Sequence, residues 1–590
     1  MNLRFVPLFL AALPSTASAQ TVLKTWSGFS GSKFGSAVSA FRDFNADGYQ
    51  DVLIGAPGAT ASHGYGVVYV VSGQALMQQN NYTIFSTLPG NTASDQFGAT
   101  IETVGDVTGD GKTDFVVGAT LDDTSATNAG RVFLYDGSSL ARLADWSGTG
   151  AQSQLGWSMT HLGDWDQDGL QELAVGAPFE DGGGVDRGVV KVLEITPLLG
   201  AYVFSNVATF NGPTDFALRG YALDSADFGV IGGFANRREL IFGQPLTPSP
   251  LGGVDNGSVF VYAYRGNWTS LDFVIRNYGE SGDAYGYSLD ASVDVTGDGV
   301  QDLVVGAPNH DYLGGVGHDN GFIHVWNGAS IGSGVWVSAL NTVWGEDDTH
   351  LGWSVRGVPD LNHDGRGDVL AGAPGGSASF PDWGRVAAFS GETGMPLSLV
   401  TGAQHDSFGE YVGPALDVDG DGFLEYVACG PSSDNVSLNC GVLRTIALHP
   451  VLPLVYCTSK VNSLGCAPTM GWTGAPSISG GSFHVRTTQV LNQKSGLTFY
   501  GFDDNYGVFQ GGTMCVRAPL KRLPVRSSGG SGAGTDCTGV FDTDFAVLLQ
   551  SGLDPELHLG QEITCQTWSR DPADPFTSSF SNALRFVVGP

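Results

Sequence analysis

Positive charge is scarce in this 590-residue chain, where 27 Lys and Arg face 59 Asp and Glu for a formal charge of −32. Such a surface repels a phosphate backbone, so nucleic acid is excluded as a partner. Long apolar runs are missing as well: beyond residue 20 nothing approaches the ~20 apolar residues that span a bilayer, and no transmembrane segment is expected. Cysteine is sparse, with seven in all and none before Cys429, so no thiol follows the N-terminal leader to accept a lipid. No hydrolase nucleophile elbow, zinc signature or nucleotide-binding loop is expected. What the chain has in excess is glycine, 87 residues, together with 33 Phe, 18 Tyr and 12 Trp. That composition suits many short strands joined by turns, enclosing a sizeable core.

The N-terminus has the pattern of an export leader: Arg4, an apolar stretch over residues 5–13, and Ala17-Ser18-Ala19 before Gln20. Residues 1–19 are therefore expected to be a signal peptide and the mature protein to be secreted. The clustering of Cys457, Cys466, Cys515, Cys537 and Cys565 near the C-terminus agrees with an oxidising compartment. Short separations favour the pairs Cys429–Cys440 and Cys457–Cys466, which leaves the other three unassigned.

A glycine preceded by an aromatic residue or leucine recurs at Phe34-Gly35, Phe97-Gly98, Leu155-Gly156, Tyr285-Gly286, Leu351-Gly352 and Phe408-Gly409, and Arg219-Gly220 fills the one gap. Successive glycines are 63, 58, 64, 66, 66 and 57 residues apart, room for about four short strands per unit. Eight residues after the glycine an acidic run begins in six of the seven repeats. A short apolar strand ending in Gly-Ala-Pro or a variant follows, as in Ile54-Gly55-Ala56-Pro57 and Val175-Gly176-Ala177-Pro178. A third, alternating strand comes next, as in Gly130-Arg-Val-Phe-Leu-Tyr.

These two motifs, repeating in register over about 430 residues, resemble the FG-GAP repeats of integrin alpha-subunit head domains. The resemblance implies an all-β fold over residues 20–448, a seven-bladed β-propeller of four-stranded blades with the acidic loop joining strands one and two on its lower face. Radial closure of repeated sheets is also the physical way to protect their edges. Residues 449–590 leave the repeat and read as a small disulfide-containing β-sandwich-like domain of unknown role. The seventh repeat lacks a strand, which residues 21–27 are placed to supply.

Each acidic run carries oxygen side chains at positions one, three, five and nine, glycine at six, and any residue at seven, where a main-chain carbonyl can serve. The sets are Asp43, Asn45, Asp47, Tyr49 and Asp51; Asp106, Thr108, Asp110, Lys112 and Asp114; Asp164, Asp166, Asp168, Leu170 and Glu172. They continue with Asp294, Thr296, Asp298, Val300 and Asp302; Asp360, Asn362, Asp364, Arg366 and Asp368; Asp417, Asp419, Asp421, Phe423 and Glu425. Hard oxygen donors without His or Cys select Ca2+ over zinc, and six sites are expected. The fourth repeat, Phe228 to Glu239, lacks the acidic run, and no metal is expected there. Arg366-Gly367-Asp368 and Leu416-Asp417-Val418 spell adhesion signals, but their aspartates are spoken for by the loops.

A ligand is expected on the face opposite the loops, with His310, His318 and Trp344 as candidate contacts and an extracellular protein or a polysaccharide as partner. Three functional readings follow: a secreted calcium-binding recognition or adhesion module, a secreted hydrolase or lyase built on a propeller, and a structural component of the cell envelope.

Overall fold

The structure, a computed structural model, describes residues 8–9, 21–58, 65–76, 84–229, 238–248, 255–264, 272–278, 280, 282–311, 319–332, 343–345, 348–362, 364–375, 383–391, 393–418, 424–434, 437–447, 454–474, 476–478, 481–502, 504–557 and 561–588. It divides into two compact units, built mainly of Val22–Ile446 and of Ala447–Pro590.

The first unit is a ring of seven antiparallel sheets. Sheet one comprises Ala37–Ala40, Val52–Ala56, Val67–Val71 and Ile84–Pro89; sheet two, Phe97–Gly105, Asp114–Ala119, Arg131–Tyr135 and Arg142–Ser147. Sheet three comprises Met159–Gly163, Gln171–Ala177, Val189–Leu198 and Ala201–Asn211; sheet four, Leu223–Ala226, Glu239–Gln244, Ser258–Ala263 and Asp272–Tyr278. Sheet five comprises Ser288–Val293, Asp302–Ala307, Phe322–Trp326 and Val343–Trp344, with Leu8–Phe9 parallel to its last strand. Sheet six comprises Ser354–Val358, Asp368–Ala373, Arg385–Phe389 and Pro396–Thr401. Sheet seven joins Tyr411–Leu416, Glu425–Gly430 and Val442–Ala447 to Thr21–Ser27 from the other end of the ring.

Each first strand packs against the first strand of the next sheet, and Tyr411–Leu416 of sheet seven returns to Ala37–Ala40 of sheet one. The all-β propeller expectation therefore holds. The second strands have sheets on both faces, which is why Val52–Ala56, Asp302–Ala307 and Asp368–Ala373 are buried at every position. The core is accordingly a set of layers between neighbouring sheets, such as Phe41, Leu53 and Phe97 with Phe115 and Phe133 between sheets one and two.

The repeat motifs are the junctions of the ring. The residue before each repeat glycine sits over the glycine that opens the third strand of the preceding sheet: Gly130 with Leu155, Gly188 with Arg219, Gly257 with Tyr285, Gly321 with Leu351 and Gly384 with Phe408 form parallel bridges. A Cβ on Gly66 would stand 2.2 Å from the Phe97 carbonyl oxygen, and one on Gly441 2.2 Å from that of Phe34, so the closing junction is built like the others. Side chains add a clasp: the hydroxyls of Thr100, Ser158, Ser288 and Ser354 donate to the carbonyls of Gly156, Gly220, Gly352 and Gly409. In the fourth repeat Arg219 replaces the aromatic residue, and its guanidinium lies 4.8 Å from the Phe242 ring centroid and 5.4 Å from that of Phe260.

The second unit packs two sheets face to face. Thr469–Gly474, Phe483–Val490 and Gly539–Asp544 form one. Leu454–Tyr456, Ser578–Val587, Glu562–Arg570 and Ser495–Gly501 form the body of the other. Met470, Phe483 and Val485 meet Tyr500, Ile563, Leu584 and Phe586 between them.

The disulfides correct the sequence expectation: Cys457 pairs with Cys515 and Cys466 with Cys537, while Cys429, Cys440 and Cys565 are buried free thiols. Cys429 occupies the place of the Gly-Ala-Pro glycine in sheet seven, and a Cβ on Gly35 of sheet one would stand 3.0 Å from its sulfur. Cys440 instead donates to the Ser433 carbonyl at 3.4 Å. The Cys457–Cys466 guess fails because strand pairing brings distant segments closer than chain neighbours: Tyr456 Oη, one residue before Cys457, donates to the Cys515 carbonyl at 2.7 Å.

Candidate metal loops and the axial cavity

All six acidic runs connect the first and second strands of their sheets, and the described loops share one hydrogen-bond scheme. The position-one carboxylate accepts amide protons from the far side of the turn: Asp43 from Asp47 and Gly48, Asp106 from Gly109, Asp110 and Gly111, Asp294 from Gly297, Asp298 and Gly299, and Asp360 from Asp364 and Gly365. The position-five carboxylate accepts the amide at position seven, as Asp47 does from Tyr49 at 2.9 Å and Asp168 from Leu170 at 2.9 Å. The loops are thus wound around their position-one and position-five carboxylates, and in the third loop the oxygens of Asp164, Asp166 and Glu172 come within 4.8 Å of one another. Asp419, Asp421 and Phe423 of the seventh loop lie outside the described residues.

Position nine begins the second strand and is buried. In sheets one, two, five and six it is Asp51, Asp114, Asp302 or Asp368, each wholly buried. One oxygen accepts the amide at position two, and the other accepts the amide of the glycine after the third strand: Gly73 at 3.0 Å, Gly137 at 2.8 Å, Gly328 at 2.8 Å and Gly391 at 2.9 Å. Burial raises all four above the usual carboxylate range against these amide bonds, Asp368 to about 7 with Asp364 and Asp360 adding to the rise. Buried carboxylates beside other carboxylates are unstable as anions until a cation joins them. Asp368 is also the aspartate of Arg366-Gly367-Asp368, and its burial removes that tripeptide as an adhesion signal.

The fourth repeat retains more of the scheme than its sequence suggests. Phe228 donates its amide to Glu239 Oε2 at 3.0 Å, the bond that Trp165 makes to Glu172 in the third loop. Asp227 and Glu239 therefore stand at positions one and nine, one residue earlier than the constant spacing placed the start. Burial raises Glu239 to about 8. Residues 230–237 between them lie outside the described residues.

A cavity of about 750 Å³ lies on the propeller axis, lined by the first strands of all seven sheets. The residues following four repeat glycines form an arc there: ring centroids are 5.3 Å apart for Trp157 and Tyr221, 4.8 Å for Tyr221 and Tyr287, and 4.9 Å for Tyr287 and Trp353. These residues precede the first strands and neighbour Pro57, Thr120 and Pro431 from the ends of the second strands, so the arc faces away from the acidic loops. Sequence reasoning missed them, although their constant position after the glycine was the available signal.

Deeper carboxylates cross-link the inner strands. Asp224 accepts the Ala291 amide at 2.6 Å and Asp290 that of Gly357 at 3.0 Å, each reaching into the next sheet. Burial raises Glu102 and Asp224 to about 7, the second with a contribution from Asp290.

The predicted surface contacts fare differently. His310 is buried, with Nδ1 2.7 Å from Asp283 and its ring against Phe322, so it braces sheet five rather than meeting a ligand. His318 lies outside the described residues, and only the backbone of Trp344 is described, in the last strand of sheet five. Gly328-Ala-Ser330-Ile-Gly332 has the spacing of a hydrolase nucleophile elbow, which corrects the expectation that none is present. Here it is the turn after the third strand, with the Gly328 amide bound to Asp302.

A closed ring of sheets, each joined to its neighbour through glycine contacts and most bearing an acidic oxygen-rich loop on one face, defines a repeat β-propeller. The chain matches the FG-GAP repeat over residues 34–71, 97–135, 155–193, 285–326 and 351–389. It is 27% identical over 369 residues to phosphatidylinositol-glycan-specific phospholipase D of Bos taurus, covering 56% of this chain and 42% of that protein. It is 29% identical over 232 residues to integrin alpha-PS3 of Drosophila melanogaster, covering 37% and 19%, and 31% identical over 179 residues to integrin alpha-5 of Xenopus laevis, covering 29% and 16%. The chain therefore spans less than half the length of these relatives. No described helix is long and apolar enough to cross a membrane.

Proposed function

We propose that the protein is a secreted, calcium-loaded propeller that recognises an extracellular ligand at the axial mouth opposite its acidic loops. Calcium is supported by the donor chemistry: the third loop gathers carboxylate oxygens without histidine or cysteine, and position nine of the described loops carries a buried carboxylate. When bound, the ion supplies positive charge that lets these carboxylates remain ionised. Asp43, Asp106, Asp164, Asp294, Asp360 and Asp417 and their loop partners would hold it. Secretion is supported by two disulfides in the second unit, bonds that persist in oxidising compartments.

The single observation that carries the recognition reading is the aromatic arc of Trp157, Tyr221, Tyr287 and Trp353 at the mouth of the axial cavity. Aromatic faces backed by carboxylates and hydroxyls suit a polysaccharide, which offers flat apolar ring faces edged with hydroxyl groups. Binding of the calcium-loaded protein to arrays of polysaccharides and envelope proteins, repeated with Trp157→Ala and Trp353→Ala, tests this. Retention of every bound partner by both variants would move recognition elsewhere on the chain. Chelation should lower the melting temperature, each lost ion removing about 2.7 kcal/mol at a hundred times its dissociation constant. Fewer than four ions per saturated chain by elemental mass spectrometry would refute the calcium assignment.

A hydrolytic reading draws on one observation, the two carboxylates Glu102 and Asp224 raised to about 7 inside the cavity. Groups poised near neutrality serve general acid and base chemistry. Screening the purified protein for ester and glycoside turnover, with Glu102→Gln as control, decides it.

A further inference from the structure

The third loop differs from the loops that carry aspartate at position nine. In sheets one, two, five and six a glycine ends the third strand, and its amide occupies the second oxygen of the position-nine aspartate. In sheet three the third strand continues through Glu194 to Leu198, and position nine is the longer Glu172. Its Oε2 accepts the Trp165 amide, but Oε1 is buried without any hydrogen-bond partner, in a residue of 0% exposure. Leaving a buried carboxylate oxygen unpaired costs several kcal/mol in general, so this oxygen calls for a partner.

The surroundings of that oxygen are acidic. Glu172 and Glu194 stand directly opposite each other on adjacent strands, a pairing of like charges that destabilises a sheet. Thr196 Oγ1 donates to Glu194 Oε1 at 2.8 Å. Two groups of carboxylate oxygens lie within 4.8 Å of one another, Asp164 with Asp166 and Glu172, and Asp168 with Glu172 and Glu194. Calcium holds its oxygens at about 2.3–2.6 Å, so each triad spans one ion's coordination sphere. The five side chains form two triads sharing Glu172 rather than one cluster. Among the described residues none of the five enters an ion pair with Lys, Arg or His.

We propose that the third loop holds two calcium ions, one on Asp164, Asp166 and Glu172 and a second on Asp168, Glu172 and Glu194, with Glu172 bridging them. The inference rests on the calcium reading of the loops and adds to it a ligand, Glu194, that lies outside the nine-residue run. Charge favours the pair: five carboxylates around one divalent ion leave three negative charges, and around two they leave one. Glu194 is also the residue that the continued third strand brings into line with position nine, which a glycine turn in its place would forgo.

The test is long-wavelength anomalous diffraction from crystals of the whole chain grown at saturating calcium. Two calcium peaks are expected at the third loop and one at each other complete loop. Crystals of Glu194→Gln should keep the first peak of the third loop and lose the second, with the other loops unchanged. A single peak at the third loop of the unaltered chain overturns the proposal, as does a second peak that survives Glu194→Gln. Absence of calcium from every loop would instead refute the calcium reading itself. Melting of Glu194→Gln in chelator, expected no lower than that of the unaltered chain because one of two opposed carboxylates is gone, separates loss of the ion from loss of the fold.

Discussion

Gly55 of the first sheet lies against Gly98 of the second so closely that a methyl group on Gly55 would stand 2.0 Å from the Gly98 carbonyl oxygen. The same approach recurs at Gly118 with Gly156, Gly176 with Gly220, Gly243 with Gly286, Gly306 with Gly352 and Gly372 with Gly409. The two glycine motifs of the repeat are thus the two halves of one contact, which explains why they recur together. Gly98 and its counterparts also have positive φ, +88° at Gly98 itself, which a side chain would strain.

Substituting one of these glycines should loosen the ring. In Gly176→Ala the new methyl group meets backbone, 2.2 Å from the Gly220 carbonyl oxygen, and a loss of about 1–3 kcal/mol or more is expected. Gly471→Ala, with nothing within 4 Å, should stay within about 0.5 kcal/mol. Calorimetric scans of both variants check the contrast, and equal melting curves would refute it.

Closure by the N-terminal strand can be tested at Trp26. Its side chain is 3% exposed, stacks on Phe34 at 6.3 Å between centroids, and joins Leu416 and Leu443 of sheet seven to Val52 and Ile54 of sheet one. Trp26→Ala should cost about 3–5 kcal/mol in denaturant unfolding of the propeller. An unmoved midpoint would show that the ring holds without this strand.

Thiol counting should distinguish the two kinds of cysteine. Cys429 and Cys565 are buried and raised far above the ordinary thiol range by that burial, so neither forms thiolate in the native state. A thiol reagent should modify no cysteine in the native protein and three in guanidinium without reductant. Five or seven reactive thiols after unfolding would break the disulfide assignment. Cys457→Ser should destabilise the second unit by about 2–4 kcal/mol, since the bridge closes a 58-residue separation.

Glu102 predicts a pH dependence of defined sign. Burial raises its folded pKa from 4.5 to about 7, so the native state binds the proton more tightly than the unfolded chain. The contribution to stability is present below about pH 4.5 and falls as pH rises to about 7, then stays level. Glu102→Gln should be more stable than the unaltered chain at pH 8, by about 1 kcal/mol or more, and the gap should close near pH 4. Parallel urea titrations at the two pH values check this; a gap that widens on acidification would contradict it.

The acidic loops, the sheet-by-sheet order and the all-β class were legible because each depends on residues close in sequence. A first strand, its loop and its second strand are consecutive, so Asp43 to Asp51 and Gly55 carry their pattern in a single stretch. The missing strand of sheet seven was legible for a related reason, since a repeat that stops short exposes its own deficit. The aromatic arc was in register with the glycines but showed no chemistry until Trp157, Tyr221, Tyr287 and Trp353 were seen converging on one axis.

Other features depend on contacts that chain order does not rank. Cys457 has Cys466 as its near neighbour, yet Cys515 is its partner, because strand pairing in the second unit brings the distant residue alongside. His310 looked like a surface ligand and is instead held by Asp283. Asp227 keeps position one although the constant spacing pointed to Phe228, because the amide of Phe228 is what reaches Glu239. Glu194 joins the third loop only through strand register opposite Glu172. The sequence by itself therefore determined the repeat, its oxygen-rich loops and the glycines that let sheets touch, since these follow from local periodicity and residue size. The tertiary structure alone decided which sulfurs bond, which carboxylates lose water and which side chains share a cavity, because burial and cross-strand register arise only when the ring has closed.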